Sequence, residues 1–147
     1  MFRWTLKEGY DYLWKIDDDV YVMPERLLAL PLRDFQGHYI PHNTYRQVGT
    51  ILGACVGFSR YAMGLILKEP LPPYHRRFED VFVTLILLSN MVEAFQLKEV
   101  MPWTHRRGNL FVECRQQPPL PNNNVVAAFE YTPAQLIEIH NAFQHNL

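Results

Sequence analysis

Tyr12-Leu-Trp-Lys-Ile-Asp-Asp-Asp-Val-Tyr-Val22 combines a short apolar run with three consecutive aspartates. The first five residues are typical of a β-strand that is covered on both faces. The aspartates follow at once, and like charges at this spacing repel each other unless something positive lies against them. Because ligands in open α/β sheets bind at the carboxyl ends of strands, the segment predicts a strand leading into an acidic site.

The aspartates have two interpretations from the residues alone. Carboxylate oxygens suit hard divalent cations such as Mg²⁺ or Mn²⁺, which often bind one or two carboxylates together with phosphate oxygens of a substrate. Alternatively, Asp17, Asp18 and Asp19 form a surface turn in which the side chains accept hydrogen bonds from nearby N–H groups. Both interpretations stay open at this point.

The residues on either side of this segment predict alternating helices and strands. Gly9 is expected to end a helix over residues 2–8, Ser59 to cap a helix over 60–68, and Glu79 with Asp80 to open a helix reaching about Met91. Further elements are expected as a helix over 25–30 after Pro24, a strand over 36–40, a glycine-threaded strand or loop over 48–59, short strands over 93–97, 110–114 and 125–129, and a helix over 134–143 capped by Thr132 and Pro133.

Composition excludes several classes of protein. The 147 residues carry 14 Lys and Arg against 15 Asp and Glu, a net charge of −1, so no basic face for nucleic acid is expected. The longest apolar run, residues 81–88, is far shorter than the roughly 20 residues that span a bilayer. Two cysteines, Cys55 and Cys114, allow one bridge or two buried thiols, and they exclude a disulfide scaffold. The length predicts a single domain over 1–147.

Three segments in sequence order carry a resemblance to a known family. They are the D-x-D element at 12–22, the glycine-rich Gly53-Ala-Cys-Val-Gly-Phe-Ser-Arg60, and Glu79-Asp-Val-Phe-Val83. Together they resemble the β-1,3-glycosyltransferases of the galactosyltransferase and N-acetylglucosaminyltransferase type, relatives of the fringe enzymes. The resemblance covers almost all of this chain, but the chain corresponds only to the later part of that family's catalytic domain. The domain over 1–147 is therefore expected to be partial.

The resemblance implies a GT-A fold of the α/β class, a UDP-sugar donor, a glycan or glycoprotein acceptor, and Mn²⁺ or Mg²⁺ as cofactor. It implies that Asp19 coordinates the metal, that Asp17 and Asp18 help through the ribose or metal-bound water, and that Asp17 is a further candidate metal ligand. Asp80 resembles the catalytic base of an inverting transfer, although a plain helix cap is the alternative from the residues alone. Gly53 and Gly57 would let sugar or acceptor approach the backbone, although strand packing explains them nearly as well. The family also implies the lumenal side of the Golgi membrane, reached through an anchor that this chain does not contain.

The sequence departs from the family pattern near its end. Relatives carry a metal-binding histidine shortly before a Ser/Thr-Pro helix start, and Phe129 stands at that position. A phenyl ring has no lone pair for a metal, so His105 is the candidate substitute ligand. The alternative is a catalytically inactive, glycosyltransferase-like remnant that binds a glycan or a protein partner.

Overall fold

The computed structural model describes residues 1–18, 20–40, 49–70, 79–97, 100–102, 127–129 and 132–144. Helices and strands alternate along these residues much as the sequence predicts. The helices are α1 (Phe2–Lys7), α2 (Pro24–Leu28), α3 (Arg60–Lys68), α4 (Glu79–Ser89) and α5 (Pro133–Gln144). The strands are β1 (Tyr12–Ile16), β2 (Tyr21–Val22), β3 (Phe35–Ile40), β4 (Thr50–Ser59), β5 (Phe95–Gln96), β6 (Val100–Pro102) and β7 (Ala127–Phe129).

These elements form two compact units, each with a mixed sheet. The first unit, residues 1–16 and 31–97, has the strand order β1-β4-β3-β5, in which only the β3–β5 pair is parallel. The second unit, residues 17–30 and 98–147, has the order β2-β7-β6, in which β6 and β7 are parallel. The predicted α/β class with a mixed sheet and flanking helices is therefore confirmed. The single domain over 1–147 stays a prediction.

Strand β1 is more exposed than the sequence suggests. Among the described strands it pairs with β4 alone, antiparallel, and so forms an edge of its sheet. Its first four residues are half-buried and Ile16 is 40% exposed. The expectation of a strand covered on both faces is wrong, because an apolar run at a sheet edge reads like a central strand in sequence.

Strand β4 carries an irregularity where it passes β3. Gly37 pairs with Val56 and Tyr39 pairs with Ile51, so more residues of β4 than of β3 lie between the two pairs. In a regular strand, odd and even residues point to opposite faces. The extra residues of β4 reverse this alternation, and Ile51 and Val56 consequently join the same hydrophobic core.

The core of the first unit lies between this sheet and the helices α1, α3 and α4. Phe35 and Phe58 stack at its centre with their ring centroids 5.6 Å apart, and Phe2 of α1 meets Phe58 edge-on at 5.1 Å. Each large apolar side chain that is fully buried contributes roughly 1.5–3 kcal/mol to folding. The buried members of the cluster are Phe35, Ile51, Val56, Phe58, Ala62, Met63, Ile66, Val83, Ile86, Leu87 and Val92.

Two predicted helix caps are confirmed. The Ser59 hydroxyl accepts a hydrogen bond from the Ala62 N–H at 3.2 Å, which is the expected N-cap of α3. At α5, the Thr132 hydroxyl accepts from the Gln135 N–H, and the Gln135 side chain accepts from the Thr132 N–H at 2.9 Å. This reciprocal pair is a capping box.

Other boundaries differ from the prediction. α2 ends at Leu28 and α4 at Ser89, about two residues early, and the strand expected over 93–97 shrinks to two residues. β6 was not predicted, because three residues ending in a proline give too short a pattern. The strand predicted over 110–114 lies outside the described residues. Within the described ranges, no helix combines the length and the apolar character that crossing a membrane requires.

Candidate functional site

A cleft in the first unit is lined by residues from all three segments that carry the family resemblance. It is small and partly open to solvent. The lining combines charged side chains with apolar side chains of the hydrophobic core. The lining residues are Lys15 of β1, Phe35, Ile51, Gly53, Val56 and Phe58 of β3 and β4, and Glu79, Asp80 and Val83 of α4.

Helix α4 is seated on β4 through a buried polar contact. The Thr84 hydroxyl accepts from the Ile51 N–H at 3.2 Å and lies 3.2 Å from the Thr50 hydroxyl. Residues four apart on a helix share a face, so Asp80 lies one turn from Thr84 on the side that meets β4. This seating brings Asp80 to Gly53, two residues along β4 from Ile51.

Gly53 is flanked by a cation and a carboxylate. The Lys15 Nζ donates a hydrogen bond to the Gly53 carbonyl oxygen at 2.8 Å. A Cβ at position 53 would stand 3.3 Å from the Lys15 Nζ and 3.8 Å from the Asp80 Cβ. Gly53 also lies in the stretch of β4 where pairing with β3 is irregular, a place where backbone groups need partners outside the ladder. Lys15, Gly53 and Asp80 therefore form one contiguous group.

Asp80 occupies the first turn of α4, as the sequence predicts. One of its carboxylate oxygens accepts from the Val81 N–H at 2.9 Å, while Glu79 before it is exposed. Asp80 is therefore held in the first turn of α4, where it lines the cleft.

Gly57 has a different environment. The place of its Cβ is taken by this chain's own side chains: the Tyr12 hydroxyl, Trp14 at 2.9 Å and the Gln36 Cγ at 3.0 Å. Gln36 is fully buried and its Nε2 donates to the Tyr12 hydroxyl at 2.7 Å. Burial raises the pKa of Tyr12 to about 12, against the lowering effect of that hydrogen bond. These contacts support strand packing as the reason for Gly57.

The acidic turn after β1 belongs to the second unit. Asp17 is half-buried, Asp18 is exposed, and the Val20 N–H donates to the Asp17 carbonyl at 3.3 Å. Asp19 and His105, the other predicted metal ligands, lie outside the described residues. Within the described part of the chain, no three His, Cys, Asp or Glu side chains are grouped as metal ligands. The oxygen donors of Asp17 and Asp18 nevertheless match the chemistry of Mn²⁺ or Mg²⁺.

The backbone of β7 places Phe129 next to this turn in the register of the second sheet. Tyr21 pairs with Ala128 and Val22 with Ala127. Continuing the antiparallel register brings Phe129 level with Val20, directly after the aspartates. Phe129 therefore occupies a strand end beside the acidic turn, where a histidine would suit a metal better.

Comparison with protein-family models and with curated proteins gives no significant match for this chain.

Lys15 was not predicted as a member of this group. A lysine inside an apolar strand is itself a signal, because lysine is rarely buried without a partner. Leu13, two residues earlier, packs against the core, and alternation puts Lys15 on the same face. The partner, however, lies 38 residues away on β4.

Proposed function

We propose that this chain is a glycosyltransferase of the GT-A type that moves a hexose from a UDP-sugar to a hydroxyl of a glycan or glycoprotein, with inversion. The observation that carries the proposal is the cleft, because its lining draws on all three segments that resemble the β-1,3-glycosyltransferases. By the same resemblance, the reaction belongs to the lumenal side of the Golgi membrane.

The proposed chemistry assigns a role to each group. The Asp80 carboxylate takes the proton of the acceptor hydroxyl, whose oxygen forms a bond to the anomeric carbon of the donor sugar. The bond between that carbon and the diphosphate oxygen breaks, and UDP leaves with the electron pair. By the family resemblance, Asp17, Asp18 and Asp19 of the second unit would hold Mn²⁺ or Mg²⁺, a cation that when bound neutralises negative charge on a diphosphate leaving group. Gly53, which has no side chain, would let the acceptor approach the β4 backbone beside Asp80.

Calorimetry with UDP tests the donor site. Titration of UDP into the folded chain should show binding that needs Mn²⁺, and Asp19→Ala should weaken it by at least about tenfold, which corresponds to about 1.4 kcal/mol. Asp11→Ala is the matched control, since Asp11 is highly exposed and its ion pair with Arg60 is long at 3.7 Å. Folded wild-type protein that binds no UDP in the presence of Mn²⁺ contradicts the proposal for this chain.

The second candidate function is a non-catalytic remnant that binds a glycan or a protein partner. Phe129 favours it, because the register puts an apolar residue beside the acidic turn. Retention of an immobilised glycan without metal, unchanged in Asp80→Asn, is the result expected for a remnant. Release of UDP from a UDP-sugar upon addition of an acceptor, lost in Asp80→Asn, is the result expected for the transferase.

A further inference from the structure

Lys15 lines the cleft together with apolar core side chains and the carboxylates of Glu79 and Asp80. It is half-buried, and it shares its side of β1 with Leu13, which packs against the core. Its ammonium group donates to the Gly53 carbonyl at 2.8 Å, which fixes the end of a side chain that otherwise has four rotatable bonds. The structure thus holds a positive charge at a defined point of the cleft.

That point lies beside Asp80. The Lys15 Nζ and the Asp80 Cβ both lie within 4 Å of the place where a Gly53 side chain would begin. An ammonium attracts a nearby carboxylate, and the attraction is stronger in a half-buried cleft than in open water. Glu79, the other carboxylate that lines the cleft, adds negative charge and increases the need for a cation.

We propose that Lys15 is a positioning residue that orients the Asp80 carboxylate from its anchor on the Gly53 carbonyl. This inference rests on the proposed function, in which Asp80 receives the acceptor proton. Without Lys15, Asp80 keeps its hydrogen bond from the Val81 N–H but loses the cation beside Gly53 that draws its carboxylate toward the acceptor. Since proton transfer requires close alignment, the loss acts on the chemical step and leaves donor binding intact.

Four variants test the role in catalysis. Lys15→Met should lower kcat by at least about tenfold, or about 1.4 kcal/mol in activation free energy, with the KM for UDP-sugar changed by less than about threefold. Lys15→Arg keeps the charge and should recover most of the activity. Gly53→Ala keeps every charge and shifts the Lys15 Nζ only slightly, so it should lower kcat much less than Lys15→Met does. Lys68→Met is the control, because Lys68 is an exposed lysine at the end of α3.

A thermal unfolding cycle gives a readout that does not depend on activity. Lys15→Met and Asp80→Asn should each lower Tm by about 2–4 °C, and the double variant should lower it by clearly less than the two effects added. Additive shifts show that the two side chains do not interact, and they overturn the inference. A variant Lys15→Met with unchanged kcat overturns it too.

The two proposals fail separately. Wild-type protein that binds no UDP with Mn²⁺ contradicts the proposed function, whatever the unfolding cycle gives. UDP binding and transfer that persist unchanged in Lys15→Met, beside additive Tm shifts, contradict the positioning role alone.

Discussion

Two glycines with open space around them, Gly9 and Gly64, differ only in what their backbone requires. Neither would place a Cβ within 4 Å of a neighbouring atom, but Gly9 has a φ of +83° at the end of α1 and Gly64 is helical in α3. The free space alone predicts that an alanine has the same effect on stability at both positions. The backbone conformation predicts opposite effects.

Gly9→Ala should destabilise the protein by about 1 kcal/mol, because a Cβ strains a left-handed residue. Gly64→Ala should stabilise it by about 0.5–1 kcal/mol, because alanine loses less entropy in a helix. Urea unfolding of the two variants measures both. Changes of equal sign would show that the conformation assigned to Gly9 is wrong.

Single residues also mark the limit of what the sequence predicts. Ser59 and Thr132 were identified as caps, since a cap bonds only to the next turn of the same helix. Lys15 was not identified, since its carbonyl partner on β4 becomes a neighbour only through the pairing of β1 with β4.

At the scale of elements, one buried hydroxyl contributes to the packing of α4 on β4. Thr84→Val keeps the shape of the side chain but removes the acceptor of the Ile51 N–H. We expect a loss of about 1–3 kcal/mol in the free energy of unfolding, because a buried N–H is left without this partner. Chemical denaturation followed by circular dichroism provides the measurement.

Thr5→Val in α1 is the matched control. Thr5 is equally buried, but its hydroxyl bonds to the Met1 carbonyl, which also accepts the Thr5 N–H at 3.0 Å. No group loses its only partner there, so the variant should change stability by less than about 0.5 kcal/mol. A similar loss in both variants would show that the Thr84 hydroxyl has no special role.

Strands were harder to predict than helices. The sequence places β4 within two residues, but nothing local indicates that its alternation reverses between Ile51 and Val56. That reversal depends on pairing with β3, and it sets which residues line the cleft. The elements of the candidate site were therefore predictable, while the arrangement that brings Gly53 to Asp80 was not.

At the scale of the whole molecule, stability should fall in alkaline solution. The pKa of Tyr12 is raised from 10.0 to about 12, chiefly by burial, so the folded state keeps this tyrosine neutral. Its contribution is fully present below about pH 10, where the unfolded chain also holds the proton, and is lost as the pH rises through about 12. Burial of Tyr21, with Glu25 nearby, acts in the same direction.

Tyr12→Phe should reduce this pH dependence by roughly 1–2 kcal/mol between pH 10 and pH 12, after allowance for solvent screening of a half-buried ring. Urea unfolding at pH values across that range measures the slope. Tyr10→Phe, at a residue that is 54% exposed, should leave the slope unchanged. If the free energy of unfolding depends on pH equally in Tyr12→Phe and in wild-type protein, Tyr12 is not the source of the alkaline loss of stability.

The central place of β4 also has a consequence during synthesis. Both β1 and β3 pair with β4 and not with each other, although β1 precedes β4 by about 40 residues. A ribosome adding about 5–20 residues each second needs roughly 2–8 s to reach β4 after completing β1. Throughout that interval β4, the partner of β1 among the described strands, has not been made, so β1 cannot yet adopt the pairing that it has in the folded unit.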